Sequence, residues 1–377
     1  MVVQMDYEEL REKTLVLTKT PLAGYTLSNL FHLLRQNNFR IGFRYLPRFM
    51  YSTAVSSVMA PFRAQERKKF DNKIANTTIS HHPLFILGHW RSGTTYLHNI
   101  LSLDRNLGYF TTFQAYLPGV FLANEKLFKS IVASSIPKRR PMDNVPMHPD
   151  FPQEDQYAVG AFSPYSYYHG WCFPNNMDFY NRFVLMENVS DFDIQRWKEI
   201  YLYLLKKVTI AVGGKRLVLK NQDNTAKVKL LLELFPDAKF ILIQRNPYDL
   251  YYSMLKFMRM VIPLYCVQKP PLFDEVEDLM MELYARMFRK YLKERTLIPK
   301  GNLVEVKYED FIREPIQTIQ HIYSELNLDG FTASRAAFDT YLKNQEAFNE
   351  ESYTISDEVR AKIDKRWGFI KEAFDYS

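Results

Sequence analysis

The chain has 377 residues, of which 47% are apolar and 24% are charged, and it carries a formal net charge of +7. This composition is that of a globular protein, with enough length for one large domain or two ordinary ones. The only two cysteines, Cys172 and Cys266, lie far apart in the sequence, which excludes a disulfide framework and favours a reducing, cytoplasmic location.

The excess of lysine and arginine is scattered along the chain, which favours an anionic ligand or an anionic surface as partner. Nucleic acid is not expected, because the sequence has no zinc-finger spacing, no RNP-like aromatic strand and no long basic helix. The N-terminal residues MVVQMDYEELREKTLVL include acidic residues and lack the basic-then-apolar pattern of a signal peptide.

Residues 1–80 are predicted to form a helical N-terminal extension. Apolar residues recur at helical spacing over residues 7–17 and 27–36, and a further helix is expected over residues 63–76. The uncharged stretch FMYSTAVSSVMAPF, residues 49–62, is too short to span a bilayer. Basic residues flank it, so it could lie at a membrane interface, although a buried core helix is the favoured interpretation.

An α/β pattern begins at residue 83. The apolar run PLFIL (83–87) predicts a buried strand, and a glycine-containing loop separates it from a helical pattern over residues 94–104. Strand, loop and helix in this order are typical of a phosphate-binding P-loop, but Thr94 stands where the lysine of G-x-x-x-x-G-K-[ST] would be. The backbone N–H groups of residues 91–95 are expected to form an anion-binding nest at the helix N-terminus.

Residues 107–188 are rich in proline, phenylalanine and tyrosine, and only two helices are predicted there, near residues 119–134 and 152–160. A long helix is expected over residues 193–209, after which the α/β pattern resumes. The later predicted strands are RLVLK (216–220), KFILIQ (239–244) and NLVEVKY (302–308), and the later predicted helices cover residues 225–235, 279–294 and a segment that starts near Pro247.

Short, continuously apolar strands that alternate with helices predict a parallel sheet with helices on both faces. The expected fold is therefore a P-loop NTPase-like α/β domain over residues 81–377, preceded by the helical extension. Ligands of such sheets bind at the carboxyl ends of the strands. Arg91, Lys220 and Arg245 follow three of the predicted strands, so positive side chains stand where a nucleotidase would carry acidic side chains for a metal.

Two separated blocks of the sequence resemble the family of PAPS-dependent sulfotransferases, where PAPS is 3′-phosphoadenosine 5′-phosphosulfate. RSGTTYLHNIL (91–101) is similar to the 5′-phosphosulfate loop of that family, and RNPYDLYYS (245–253) is similar to its 3′-phosphate block. The likeness covers residues 83–104 and 216–258 closely and residues 302–316 more loosely. It is greatest to the bacterial and the glycan- and protein-type branch of the superfamily.

The resemblance implies a PAPS site without a metal, from which PAP leaves as product. The implied binding residues are Arg91, Ser92, Gly93, Thr94, Thr95, Arg245 and Ser253. Lys220 and Arg91 would be catalytic, because sulfuryl transfer depends on positioning and on stabilising charge at the leaving oxygens. Many soluble members have lysine in place of Arg91, and an arginine stabilises charge without readily donating a proton.

The acceptor hydroxyl needs a general base, and Glu154 in the stretch HPDFPQEDQYAVG is the predicted one. Related sulfotransferases that act on proteins and glycans use a glutamate, and the adjacent Asp155 would point about 100° away on a helix. The pair could instead only open a helix, where acidic residues are favourable. His148 and His169 stay open as alternative bases, whereas His98 is expected to pack within the helix after the loop and His89 to shape the loop.

The predicted activity is transfer of a sulfuryl group to a hydroxyl or amine of a lipid, a glycan or a small molecule. The aromatic content of 15% and the N-terminal region favour a hydrophobic acceptor and peripheral contact with a membrane. The basic run PKRRP (137–141) is interpreted as a solvated loop. Two alternatives remain: a P-loop kinase or nucleotide hydrolase with a degenerate loop, and an inactive PAP-binding protein.

Overall fold

The structure, a computed structural model, describes residues 7–13, 17, 20–344 and 355–376. These residues form five strands and seventeen α-helices. The strands are β1 (Leu84–Leu87), β2 (Leu107–Gly108), β3 (Arg216–Lys220), β4 (Lys239–Gln244) and β5 (Leu303–Lys307). The helices are α1 (Tyr7–Lys13), α2 (Leu27–Gln36), α3 (Leu46–Ala75), α4 (Thr94–Leu101), α5 (Thr112–Tyr116), α6 (Glu125–Ser135), α7 (Gln156–Phe162), α8 (Tyr168–Cys172), α9 (Met177–Leu185), α10 (Asp191–Ala211), α11 (Val228–Leu234), α12 (Pro247–Tyr265), α13 (Phe273–Glu294), α14 (Tyr308–Arg313), α15 (Pro315–Glu325), α16 (Phe331–Lys343) and α17 (Asp357–Ala373).

The chain folds into two compact units, each made of three segments. The sheet unit comprises Ser80–Tyr109, Lys215–Leu255 and Asp278–Ser377. The helical unit comprises Met1–Ile79, Phe110–Gly214 and Lys256–Glu277. The division into an extension of residues 1–80 and a domain of residues 81–377 stays a prediction.

The sheet unit contains one five-stranded parallel sheet with the strand order β2-β3-β1-β4-β5. All four residues of β1 are buried, and so are five of the six residues of β4, which means that both faces of the sheet are covered. One core packs strand residues such as Ile86 and Ile241 against α4 and α14–α16. The predicted α/β fold with a parallel sheet is confirmed.

Several predicted elements of the sheet unit have the bounds that the sequence indicated. β3 and β4 match the apolar runs RLVLK and KFILIQ, and α12 begins at Pro247. The predicted helix over residues 225–235 is instead a 3-10 helix, Gln222–Ala226, followed by α11. The two-residue strand β2 was not predicted, because a run of that length carries no periodicity.

The helical unit departs further from the prediction. Helix α2 has the predicted bounds, and α3, which starts at Leu46, joins the stretch 49–62 and the helix expected over residues 63–76 into one helix. The stretch 49–62 is helical as favoured, but it is not fully buried, since Met50 and Val58 are exposed. The predicted helices of the middle region correspond to α6 and α7, whereas α8 and α9 were not predicted. Helix α1 ends at Lys13, and residues 14–16 of the helix predicted over 7–17 lie outside the described residues.

A buried ion pair joins three parts of the helical unit. Lys207 of α10 donates to Glu66 of α3 over 2.5 Å, and both side chains are only 1% exposed. The carboxylate of Glu66 also accepts the N–H groups of Leu122 and Ala123, at 2.7 and 2.9 Å. Removing one partner of such a pair leaves an uncompensated buried charge, so the pair fixes how these elements pack. No helix within the described ranges combines the length and the apolarity needed to cross a membrane.

Candidate active site

Two glycines shape the loop between β1 and α4. Gly88 has a φ of 141°, and a Cβ at this position would lie 2.4 Å from the carbonyl oxygen of Ile243. Gly93 has a φ of 93°, and a Cβ there would lie 2.4 Å from Cδ2 of Tyr308. A side chain at either position would therefore clash and would also require an unfavourable backbone conformation. The loop passes this close to β4 and α14 only with glycine, and it leads directly into the N-terminus of α4 at Thr94.

Arg91 lies within this loop in a left-handed backbone conformation, with a φ of 70°. Such a conformation costs a non-glycine residue about 1–3 kcal/mol and persists where the surrounding contacts determine it. The Nε atom of Arg91 donates to Oγ of Ser253 at 3.0 Å, and Arg245 donates from Nη1 to the carbonyl oxygen of Arg91 at 3.3 Å. The structure thus brings together the three residues that the sequence placed in two distant blocks.

Lys220 joins the same loop from the end of β3. Its side chain is buried, and its Nζ atom donates to Oγ1 of Thr95 at 3.3 Å. This contact follows from the sheet topology, because β3 pairs directly with β1 and both strands end at the same edge. The loop itself is held by Ser92, whose Oγ donates to the carbonyl oxygen of His89 at 2.8 Å.

Arg245 is positioned by residues at the start of α14, directly after β5. Its guanidinium carbon lies 4.7 Å from the ring centroid of Tyr308, a cation–π contact. Glu309 accepts the N–H of Asn246 at 2.8 Å through one carboxylate oxygen and the hydroxyl of Tyr376 at 2.9 Å through the other. Sequence analysis did not single out Tyr308 or Glu309, although they lie in the block over residues 302–316 that carries the looser resemblance.

A second buried ion pair follows β3 and was also not singled out from the sequence. Lys227 donates to Asp223, and neither side chain is exposed to solvent. The i,i+4 spacing of the two residues in the stretch KNQDNTAK is the only sequence signal for it. Next to it in sequence, Thr225 accepts the N–H of Gly88 through Oγ1 at 2.8 Å, so this 3-10 segment supports the start of the loop.

Three of the candidate histidines are buried and electrically neutral. Burial lowers the pKa of His89 to about 3, and burial together with the charge of Lys220 does the same for His98. Burial also lowers the pKa of His169 to about 3, and its ring nitrogens lie 3.3 Å from the hydroxyl of Tyr25 and 2.9 Å from the carbonyl oxygen of Ser163. Groups with such a low pKa are weak general bases at neutral pH, which disfavours these three. His148 is exposed.

The predicted base, Glu154, lies in the helical unit. Glu154 and Asp155 precede α7 rather than forming part of it, since the helix starts at Gln156. Both side chains are buried, and they meet different partners: the hydroxyl of Tyr168 donates to Oε2 of Glu154, and that of Tyr201 donates to Oδ2 of Asp155 at 2.8 Å. The two adjacent carboxylates therefore have separate surroundings.

A cluster of aromatic side chains extends from Tyr168 within the helical unit. The Tyr168 ring lies 4.6 Å from that of Tyr157 and 4.6 Å from that of Trp171, measured between centroids. The cluster continues from Tyr157 to Tyr116 at 5.0 Å and from Trp171 to Phe257 at 5.7 Å. Burial raises the pKa of Tyr116 and Tyr157, so both phenols stay protonated at neutral pH.

Arg140 is the cationic neighbour of this cluster. It forms a two-pronged ion pair with Asp143, with N–O distances of 2.9 and 2.6 Å. Burial by itself would lower the pKa of Arg140, but the carboxylates of Asp143 and Glu154 outweigh it and hold the pKa above its ordinary value. The run PKRRP is therefore not simply a solvated loop, because its fourth residue, Arg140, forms an ion pair with Asp143 and interacts electrostatically with Glu154.

Comparison with known proteins identifies relatives over most of the chain. The model of the sulfotransferase family matches residues 83–333. The omega-hydroxy-beta-dihydromenaquinone-9 sulfotransferase Stf3 of Mycobacterium bovis and that of Mycobacterium tuberculosis are each 30% identical over 356 residues, which cover 94% of this chain and 90% of those proteins.

Two solved structures share the fold. The sulfotransferase STF1 of Mycobacterium tuberculosis aligns with a TM-score of 0.62 at 17% identity, over 91% of both chains. The sulfotransferase STF9 of Mycobacterium avium aligns with the same TM-score and identity, over 93% of this chain and 97% of its own. At this level of identity the likeness concerns the fold, and it agrees with the parallel α/β sheet described above.

Proposed function

The chain belongs to the sulfotransferase family, and we propose that it transfers a sulfuryl group from PAPS to the hydroxyl group of a lipid-like acceptor. The observation that carries this proposal is the network in which Arg91 contacts both Ser253 and Arg245 while Lys220 contacts Thr95. Lys220 lies at the end of β3, and the other four residues come from the two sequence blocks that resemble the PAPS-binding segments of the family.

The residues of this network fit the two anionic ends of PAPS. The nest of N–H groups at the start of α4, with Ser92, Thr94, Thr95 and Lys220 around it, suits a 5′-phosphosulfate. Arg245 and Ser253 offer a guanidinium and a hydroxyl to the 3′-phosphate, a group that ATP lacks. The fit rests on charge and donor chemistry: cations occupy the ends of β3 and β4, where Mg²⁺-dependent nucleotidases need an acidic side chain.

PAPS, when bound, supplies the activated sulfuryl group. Glu154 takes the proton of the acceptor hydroxyl as the oxygen–sulfur bond forms and the sulfur–oxygen bond to the phosphate breaks. Lys220 and Arg91 stabilise the negative charge that develops on the leaving oxygen. With these two cations in place, the step does not require a metal ion. Tyr168 holds the Glu154 carboxylate by its hydroxyl.

A hydrophobic acceptor fits the surroundings of Glu154. The side chains that extend from this carboxylate are tyrosines and a tryptophan, which favour an apolar or aromatic molecule over a highly hydroxylated glycan. The Stf3 relatives are named for a menaquinone derivative, which is such a lipid. The proposal therefore includes a cytoplasmic enzyme that reaches its acceptor by peripheral contact of the N-terminal region with a membrane.

Transfer of radiolabelled sulfate from PAPS into a total lipid extract and a total glycan extract tests the proposal. We expect label in a lipid fraction, and thermal stabilisation of the protein by PAP without Mg²⁺. Stabilisation by ATP–Mg²⁺ but not by PAP would identify a kinase or hydrolase instead. Binding of PAP without transfer to either extract would identify a PAP-binding protein that has lost its chemistry.

A further inference from the structure

The first half of α3 exposes several large apolar side chains while it buries polar ones. Arg48, Ser52 and Ser56 are buried beside Phe49 and Met59, whereas apolar side chains of the same turns are exposed. A surface helix of a protein surrounded by water normally exposes its polar side chains instead. The outward positions follow at i, i+4, i+8 and i+12 from Leu46, so they form one stripe along the helix.

Three buried polar residues of α3 donate to carbonyl groups in other parts of the helical unit. Arg48 donates to the carbonyl oxygen of Cys266 at 2.5 Å, and Ser56 donates to that of Tyr25 at 2.6 Å. Arg63 donates to the carbonyl oxygen of Gly24 at 2.9 Å. These bonds fix the rotation of α3 about its axis, and the apolar stripe is therefore held outward by specific contacts.

We group the stripe with the exposed apolar side chains that precede it in the chain and call the set the N-terminal apolar surface. Its members are exposed large apolar side chains from α2, the following turn and the first half of α3. They are Leu27, Phe31, Phe39, Phe43, Leu46, Met50 and Val58. Phe31 and Phe39 contact each other at 6.1 Å between ring centroids, which joins the helix α2 part of the surface to the turn. Exposed apolar side chains grouped in this way mark an interaction site.

The turn between α2 and α3 presents its aromatic residues at an energetic cost. Phe39 has a φ of 56°, a left-handed conformation that is rare for an aromatic residue, and its side chain is exposed. Phe43 is 92% exposed in the short helical turn that precedes α3. The left-handed turn ends α2, since the N–H of Phe39 donates to the carbonyl oxygen of Leu34 at 2.8 Å, and it leaves the Phe39 side chain exposed.

The charges of this region identify the chemistry of the partner. No aspartate or glutamate occurs from residue 13 to residue 65, a stretch with seven lysines and arginines. Arg35 and Arg40 are exposed beside the apolar side chains. The exposed face of α3 then changes at Arg67, Lys68 and Lys69, where charged residues replace the apolar stripe. Apolar and aromatic side chains bordered by arginines complement a bilayer with anionic headgroups.

We propose that the N-terminal apolar surface docks this protein on an anionic lipid bilayer, with Phe39 and Phe43 entering the interface and Arg35 and Arg40 contacting headgroups. This inference deepens the proposed function, because it gives the surface through which a lipid-like acceptor is reached. Docking itself requires neither PAPS nor turnover, so it is measured independently of sulfotransfer.

Flotation with vesicles tests the proposal on the full chain without PAPS. We expect binding to phosphatidylcholine vesicles that contain phosphatidylglycerol, and weaker binding to phosphatidylcholine alone. The double variant Phe43→Ser/Met50→Ser should lower the partition coefficient at least about tenfold, since each buried apolar side chain contributes substantially. Arg35→Glu/Arg40→Glu should lower it by a similar factor on anionic vesicles only.

A matched control comes from the same unit. Phe192 is 71% exposed between two aspartates, so Phe192→Ser should bind vesicles as the wild type does. Equal binding to neutral and anionic vesicles, or an equal loss in the control, would overturn the proposal. It would also be overturned by a wild-type dimer in solution that ignores vesicles and that Phe43→Ser dissociates. Retained sulfation of a soluble acceptor in a protein that ignores vesicles would refute docking and leave the proposed function intact.

Discussion

In the sheet unit, the candidate donor residues lie at the ends of three neighbouring parallel strands and are mostly cations. In the helical unit, the candidate acceptor residues are mostly aromatic side chains on the short helices α5, α7 and α8, and Glu154 lies in the connection just before α7. The first group contacts a loop whose shape depends on two glycines, whereas the second is held by a tyrosine hydroxyl and by ring packing.

This difference separates two chemical tasks. A sulfate donor with two anionic ends calls for fixed positive charge and backbone N–H groups, which a parallel sheet edge provides by topology alone. An apolar acceptor calls for a pocket of matching shape, which aromatic side chains can form in many arrangements. It also calls for one group that accepts the proton of its hydroxyl. Substitutions should therefore separate the two regions by their effects on PAP binding and on turnover.

The largest effect is expected for Glu154→Gln. Loss of the proton acceptor should lower kcat by roughly 10²–10⁴-fold. The dissociation constant of PAP, measured by calorimetry, should change less than about twofold. Asp155→Asn is the matched control, because the neighbouring carboxylate is occupied by Tyr201 and should be dispensable for turnover. A fall in kcat for Asp155→Asn with full activity of Glu154→Gln would reverse the assignment.

Lys220→Met should affect both binding and turnover. The variant keeps the length of the side chain but removes its charge, so kcat should fall by roughly 10²–10³-fold. PAP affinity should fall by about 10–100-fold, the range for a hydrogen bond to a charged group. Lys215→Met, an exposed lysine just before β3, should leave both quantities unchanged. PAP binding at wild-type strength in Lys220→Met would remove this lysine from the donor site.

A smaller effect is expected for Tyr168→Phe. The variant removes the hydroxyl that donates to Glu154 but keeps the ring in its cluster, so kcat should fall about tenfold. KM for PAPS should not change, which distinguishes a positioning role from a general loss of folding. Tyr165→Phe, which loses a hydrogen bond to Asp193 at 2.8 Å, is the control and should keep its activity. Equal losses in the two variants would deny Tyr168 a special role.

The smallest effect concerns acid stability. Because His98 has a pKa of about 3 in the folded protein and about 6.5 when unfolded, the unfolded state binds its proton first as pH falls. The free energy of unfolding is therefore fully retained above pH ~6.5 and declines by up to about 1.4 kcal/mol per pH unit below it. In His98→Met this contribution should disappear from urea titrations between pH 7 and 5.

Exposed His321 supplies the reference for that experiment, since His321→Met should leave the pH dependence as it is in the wild type. An unchanged slope in His98→Met would show that His98 is not held neutral by burial. Measuring the dissociation constant of PAP over the same pH range would show whether binding at the loop between β1 and α4 is lost before the whole protein unfolds.

The sequence predicted that the candidate donor residues lie at one edge of the sheet because the signals for this are local, whereas their role in binding PAPS stays a prediction. β3 and β4 are continuous apolar runs, and the residues that follow them must lie at one edge of a parallel sheet. The contacts of Arg91 with Ser253 and of Lys220 with Thr95 agree with that expectation. The side chains that support these residues, such as Glu309, follow β5, and no local sequence pattern indicates their supporting role.

The helical unit was predicted less well because long-range contacts override its local pattern. Within residues 46–62 of α3, one arginine and two serines are buried while several large apolar residues are exposed, so the apolar residues alone do not indicate which face of the helix is buried. Helices α8 and α9 lie in a stretch where aromatic residues occur on every face and periodicity is lost. Arg140 and Asp143 pair across a loop, which composition alone describes only as basic.

The left-handed conformation of Arg91 has a consequence for anyone who selects this protein for heat resistance. Glycine would adopt the φ of 70° without strain, so Arg91→Gly is a substitution that stability screens favour. It would also delete the guanidinium that links the loop to Ser253. Selection for heat resistance and selection for turnover therefore favour different residues at position 91, so a mutant library should keep Arg91 unchanged.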